Sequence, residues 1–233
     1  MKNEILLLAS VMLIYGGVLF AYRFFGKQGL FAFSATATVL ANIEVLILVN
    51  AFGMEQTLGN VMFASTYLIT DILSENESKK DASRAVYIGI FTSLAMLVFT
   101  QLWMLFTPSE SDLIMPAIKQ IFSTTPRLML ASILGYAVSQ RLDVWLYHAW
   151  WAFTSKGGDS RKMLWLRNNG STLISQLINT VLFTTVAFFG IYDAKTFVSI
   201  MLSSYVIYVF TSLIDTPVVY MARRMKEKGR IKD

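Results

Sequence analysis

The stretch Ala131–Trp151, "ASILGYAVSQRLDVWLYHAWW", decides how the chain is to be read. Both of its ends are apolar enough to sit in lipid, yet Ser139, Gln140, Arg141 and Asp143 stand in its middle. An ionisable group at the bilayer centre costs about 2.5–3.5 kcal/mol on insertion scales, so it persists only where it faces other helices or a cavity. On a helix, Ser132, Tyr136, Gln140, Asp143 and Tyr147 follow one another at three- and four-residue steps and share one polar, aromatic face. The expectation is a membrane helix whose polar stripe is turned inward.

The composition supports the membrane reading. Of 233 residues, 55% are hydrophobic and only 15% charged, where a soluble domain carries about a quarter charged. The mean hydropathy is +0.54. Apolar runs recur along the chain, each near the roughly 20 residues that a helix needs to cross ~30 Å of hydrocarbon. The net charge of +5 does not point to nucleic acid, because the basic residues lie between and after the apolar runs rather than on one amphipathic face. The absence of cysteine excludes disulfides, iron–sulfur clusters and thiolate zinc sites. The first apolar run is followed by "AYRFFGK" and not by a small-residue cleavage site, so it reads as a retained span.

The fold class expected is an all-α transmembrane bundle of six to seven spans, forming a single domain over residues 1–233. The spans fall at about 5–25, 30–52, 60–74, 85–106, 127–152, 167–190 and 196–222. Segment 60–74 is short, and reads either as a tilted crossing or as a re-entrant half-helix. Between spans four and five, Leu113, Ala117 and Ile121 have the spacing of a short interfacial helix. Basic residues gather in alternate connections: Arg23 and Lys27; Lys79, Lys80 and Arg84; Lys156, Arg161, Lys162 and Arg167; and the tail 223–233 with Arg223, Arg224, Lys226, Lys228, Arg230 and Lys232. By the positive-inside rule these lie in the cytoplasm, with the amino terminus outside and the carboxyl terminus inside the plasma membrane.

Three further spans repeat the polar stripe. The sixth aligns Asn168, Thr172, Ser175 or Gln176, Asn179 and Phe183; the seventh, Ser204, Tyr208, Thr211 and Asp215; the third, Asn60, Tyr67, Thr70 or Asp71, and Glu75. Converging, the four would line a site near mid-membrane. Hydroxyls and amides also serve as glue between membrane helices at about 0.6 kcal/mol per contact, so Thr172, Ser175 and Ser204 taken alone read as packing. A glutamine and a carboxylate together at depth, Gln140 and Asp143, read as binding groups. Glu44 is either a proton-linked carboxylate or the partner of Arg141. The small-residue pairs Gly17 with Ala21 and Ala37 with Ala41 allow close helix approach and point to no particular partner.

Enzymatic readings find little support. The lone histidine, His148, sits among aromatics in "WLYHAWW" and reads as an interfacial anchor, and no phosphate-binding loop of the type GxxxxGK[ST] occurs. No cofactor or metal is implied.

The segments "TYLITDILSENESKKDASRAVYIG", "ASILGYAVSQRLDVWLYH" and "WLRNNGSTLISQLINTVLFTTVAFFG" resemble those of bacterial queuosine-precursor transporters, a family also called vitamin-uptake-type transporters. The resemblance runs from about the second span to "DTPVVYMARR". It implies a bundle like the substrate-binding subunits of energy-coupling-factor transporters, and import of queuine, preQ0 or preQ1 for tRNA modification. It leaves open a homo-oligomer or a separate ATPase-energised complex as partner. The chain departs from the pattern at Asn179, where the family usually has aspartate, and in "SENESKKDA", which is more acidic.

The residues suit such a ligand. A guanine-like edge offers N1–H and N2–H to one carboxylate and O6 to an amide. Asp143 or Asp215 beside Gln140, Gln176, Asn168 or Asn179 supplies both, and Tyr136, Phe183 or Tyr208 supplies rings to stack on, worth about 1–3 kcal/mol per base. Glu44, Asp71 and Glu75 remain as coupling or structural carboxylates.

Overall fold

The computed structural model describes residues 2–123, 125–154 and 163–232. Lys156, Arg161 and Lys162 of the fifth connection and Asp233 lie outside the described residues. The element order is α1 (Lys2–Glu44), β1 (Leu48–Ala51), β2 (Met54–Thr57), α2 (Gly59–Asn76), α3 (Lys79–Trp103), α4 (Met115–Ser123), α5 (Thr125–Thr154), α6 (Leu164–Phe188) and α7 (Ala194–Glu227). Among the described residues four helices are long and apolar enough to cross a membrane, and a fifth is added if α4 and α5, which meet at a 54° bend, form one broken span. The chain is thus an all-α membrane bundle, with one small hairpin.

The first two expected spans are a single helical element that doubles back. At Gly26 the backbone leaves the helical region, with φ 55° and ψ −146°, a conformation open to glycine because it has no Cβ to clash. A Cβ built on Gly17 would lie 3.0 Å from the Phe33 ring, whereas sixteen residues of straight helix separate Cα atoms by about 24 Å. The arms 2–25 and 27–44 therefore lie side by side. At the far end the Asn3 amide donates to the carbonyl of Asn50 at 2.9 Å.

The expected second span overruns. It reaches 52, but the helix stops at Glu44 and the apolar run "VLILVNAF" continues as an antiparallel hairpin pairing Leu48 with Thr57 and Ala51 with Met54. Phe52 and Gly53 form the two-residue loop with φ of 54° and 73°. Positive φ at both loop residues is what a type I′ turn requires. Hydropathy cannot separate an apolar helix from an apolar strand, and the Phe-Gly turn is the missed signal.

The remaining elements alternate between two ends. At one, Lys27 pairs with Asp81 (3.3 Å), Lys226 with Glu77 (2.6 Å), the Tyr22 hydroxyl donates to Glu77 (2.7 Å), and the Lys232 N–H donates to the Arg23 carbonyl (2.9 Å). This is the basic end. At the hairpin end, Arg127 of α5 donates to the carbonyls of Val186 and Phe189 at the close of α6, both at 2.7 Å. The tail expected over 223–233 is helical through Glu227, and two of its cations, Arg223 and Lys226, pair with Glu75 of α2 and Glu77 just after it.

α2 runs the whole way, from Leu58, whose N–H donates to the Ile47 carbonyl, to the Glu77 region at the basic end. It does not turn back. Its eighteen residues span about 27 Å, and Gly59 through Ser74 are all buried. α3 starts on a serine N-cap, Ser78 accepting the Asp81 N–H at 3.0 Å and donating to its carboxylate at 2.7 Å. α4 is the expected short helix between spans four and five.

Candidate functional site

Because α2 is covered on every side, each turn of it meets a different layer of the interior. Next to the hairpin end the layer is aromatic. The Phe63 ring lies 5.8 Å from Tyr67, 5.6 Å from Tyr136 and 6.4 Å from Tyr208, and the Tyr208 hydroxyl donates to Asn60 at 3.2 Å. Two glycines shape this layer. A Cβ on Gly135 would come within 2.6 Å of the Asn179 amide oxygen, and one on Gly89 would overlap the Tyr136 hydroxyl. Above the rings a recess of ≈ 30 Å³, lined by Asn60, Phe63, Ser132, Asn179, Phe183 and Tyr208, opens toward the hairpin end. That is room for about one water, so the rings close the approach.

The next layer is amide and hydroxyl. Gln140 is held at both ends, its Nε2 donating to Thr66 at 2.7 Å and its Oε1 accepting from Thr70 at 3.2 Å. Tyr67 donates to Ser139 at 2.6 Å. Gln176 is also fully buried, but neither of its amide atoms has a hydrogen-bond partner.

About 12 Å along α2 from Phe63 come three buried carboxyls, Asp71, Asp143 and Asp215. Thr172 donates to Asp71 at 3.0 Å, Ser175 to Asp143 at 2.8 Å and Asn168 to Asp215 at 2.7 Å. Each carboxyl keeps one oxygen without a donor, and the carbonyl oxygen of Asn168 is likewise unpartnered. The three donors stand on neighbouring turns of α6, so the acids gather along one stretch of that helix. None of the ion pairs among the described residues involves them.

One turn further, about 6 Å toward the basic end, the chemistry inverts. Glu75 accepts from Arg167 at 2.9 and 3.0 Å, from Arg223 at 2.8 Å and from the Tyr147 hydroxyl at 2.6 Å. The Arg167 guanidinium stacks 4.4 Å from the Trp151 ring and reaches Thr154 at 3.2 Å. Both Arg167 and Glu75 are removed from solvent. This clamp ties α2, α5, α6 and α7 together beneath the acids.

The expected site residues thus sort by depth. Asp143, Asp215 and Asn168 gather along one buried polar stretch of α6, and Asp71, read as a coupling or structural group, is part of it; Gln176 is buried in the amide layer. Tyr136, Tyr208, Asn179 and Phe183 stand at the hairpin-end closure, Phe183 at its outer edge. Gln140 lies in the interior as expected, but its amide is already satisfied by α2. Ser175, read as packing, bonds Asp143. Glu75 is the hub of the clamp. Glu44 is half-buried where α1 ends, toward the hairpin, whereas Arg141 is exposed above the Tyr87 ring at 5.7 Å beside Lys79. They are not partners.

Arg167 and Arg223, counted in the sequence as loop and tail charges, belong to the interior clamp. Phe63 was not singled out in the sequence either. The signal for Arg167 was present: it opens the same stripe that Asn168 and Thr172 continue. An apolar cleft of ≈ 420 Å³ between the start of α1, the hairpin and α7 lies apart from all these polar groups.

A helical membrane bundle with a closed polar centre, an aromatic closure on one side and an ionic clamp on the other defines a class, the polytopic membrane transporters. Residues 57–222 match the family described as "Putative vitamin uptake transporter", and the chain belongs to that family. It is a transporter, not an enzyme. A relative from Bacillus subtilis (strain 168), named "Probable queuosine precursor transporter", is 42% identical over 208 residues, which cover 89% of each chain. The resemblance read from the sequence is thereby borne out. No solved structure matches the chain significantly.

Proposed function

We propose that this protein imports a queuosine precursor, one of the 7-deazaguanines queuine, preQ0 and preQ1, across the plasma membrane for salvage into tRNA. The name of the Bacillus relative supports the substrate class. The observation within the molecule that carries the reading is the set of unpartnered atoms at the buried centre: one oxygen on each of Asp71, Asp143 and Asp215, the Asn168 carbonyl oxygen and both amide atoms of Gln176. Buried polar groups without partners are costly. A flat heterocycle that presents adjacent donors and a carbonyl acceptor supplies what they lack. Asp143 or Asp215 takes N1–H and N2–H, the Gln176 amide takes O6, and Phe63, Tyr136 and Tyr208, about two helical turns nearer the hairpin end, close the way in.

The same reading assigns seven crossings: the two arms of α1, then α2, α3, α5, α6 and α7. The basic end, with Arg23, Lys27, Lys79, Lys80, Arg223 and Lys226, faces the cytoplasm with the carboxyl terminus, and the hairpin end faces outward. Substrate then enters past the recess at Asn60 and Phe183 and leaves once the Glu75 clamp opens. The test is uptake of labelled queuine, preQ0 and preQ1 by cells unable to make them, with and without this gene. Uptake of at least one that depends on the gene is expected, and no gene-dependent uptake of any would end the proposal. A reporter at Asp193 should read the exterior and one after Lys232 the cytoplasm.

A further inference from the structure

The buried centre holds more acid than the common part of the ligand needs. One carboxylate suffices for the paired donors of a guanine-like edge, yet Asp71, Asp143 and Asp215 all stand there, each fully enclosed and each with a free oxygen. The nearest buried arginine, Arg167, is turned to Glu75 one helical turn away, and Arg223 joins it there. A buried charge persists where it is paired or where its partner arrives from outside. Gln176, aligned on α6 one turn from Thr172 and its bond to Asp71, provides two more open polar atoms. These atoms are left open by the protein's own packing.

We infer that the site is built for a cationic ligand: a 7-deazaguanine whose side arm carries a protonated amine, bound in preference to one whose arm is neutral. The inference rests on the substrate reading above and narrows it. One carboxylate receives the heterocycle's N1–H and N2–H. Of the two left, at least one receives the ammonium of the side arm as a charge-assisted hydrogen bond, which is about twice as strong as a neutral one. preQ1 and queuine both carry such an amine. preQ0 carries a nitrile, an acceptor that would face carboxylate oxygens. We assign the ammonium to Asp71, carried by α2 and bonded from α6, because the heterocycle's edge is already given to Asp143 or Asp215, which are bonded by Ser175 and Asn168.

The test is competition for labelled preQ1 on purified protein in lipid nanodiscs, using unlabelled preQ1, queuine and preQ0. preQ1 and queuine are expected to bind at least about tenfold more tightly than preQ0, a difference of roughly 1.4 kcal/mol. Asp71→Asn is expected to remove that preference by weakening preQ1 at least about tenfold, measured by direct binding of labelled preQ1. If parent protein binds preQ0 as tightly as preQ1, the inference is overturned and the transport reading stands. If folded protein binds none of the three, both fall. Should Asp71→Asn fail to fold, the affinity ratio on the parent protein still decides.

Discussion

Two acidic layers sit one helical turn apart on α2 and could hardly differ more. Glu75 is surrounded by Arg167, Arg223 and Tyr147, while Asp71, Asp143 and Asp215 accept from two hydroxyls and an amide and pair with no cation among the described residues. The first layer is complete without any other molecule. The second is not. Depth in the membrane does not by itself separate a structural acid from a functional one; what separates them is whether the fold supplies the counter-charge.

The largest effect should come from the complete layer. Arg167→Met leaves Glu75 buried with one arginine fewer, and breaking a buried pair from one side costs about 3–5 kcal/mol. A marked fall in the unfolding midpoint of the detergent-solubilised protein is expected. The double variant Arg167→Met with Glu75→Gln should recover much of it, because the arginine that remains, Arg223, is partly exposed and still pairs with Glu227. If Arg167→Met unfolds at the parent temperature, the clamp is not what holds this end together.

Substitutions in the incomplete layer should behave in the opposite way. Asp143→Asn removes a buried carboxyl whose second oxygen has no donor, so stability should change little, while replacing a ligand acceptor by a donor weakens binding by about tenfold or more. A thermal shift assay and ligand titration on the same preparation separate the two. Loss of stability with unchanged affinity would place Asp143 with Glu75 and collapse the contrast.

The two glutamines refine it further. Gln140→Ala gives up hydrogen bonds to Thr66 and Thr70, each worth about 0.5–1.5 kcal/mol, and should lower stability more than affinity. Gln176→Ala gives up none within the protein and should do the reverse. Smallest of all is Lys226→Ala at the basic end. Its pair with Glu77 is partly exposed, so about 0–1 kcal/mol is expected, less at high salt.

Much of this was legible in the sequence, for a physical reason. Lipid tolerates no polar group without cause, so the stripes of α2, α5, α6 and α7 announced themselves by their period, and the structure places Asp143, Asn168 and Asp215 along one stretch of α6. Which of the polar groups are already satisfied was not legible. Gln140 and Gln176 look alike as letters, and only the hydroxyls of Thr66 and Thr70 distinguish them. Arg167 and Arg223 lie at span boundaries, where a basic residue reads equally as a topology signal, and pairing with Glu75 is a property of three dimensions. The hairpin at 48–57 hid in an apolar run because transfer energy ignores backbone conformation.

The enclosure of α2 bears on how the protein is made. The helix that lines the site falls outside the group long and apolar enough to cross lipid on their own merits, and Gly59 to Ser74 have no exposed face. During biosynthesis such a segment would gain little by leaving the translocation channel alone. On the proposed seven-crossing arrangement it would enter the bilayer as the third member of a party, after the arms of α1 have provided a protein wall and as α3 supplies another. Freed from any test of its own affinity for lipid, this stretch of chain is where polar chemistry can be altered without forfeiting insertion, and so where new cargo preferences can arise most readily.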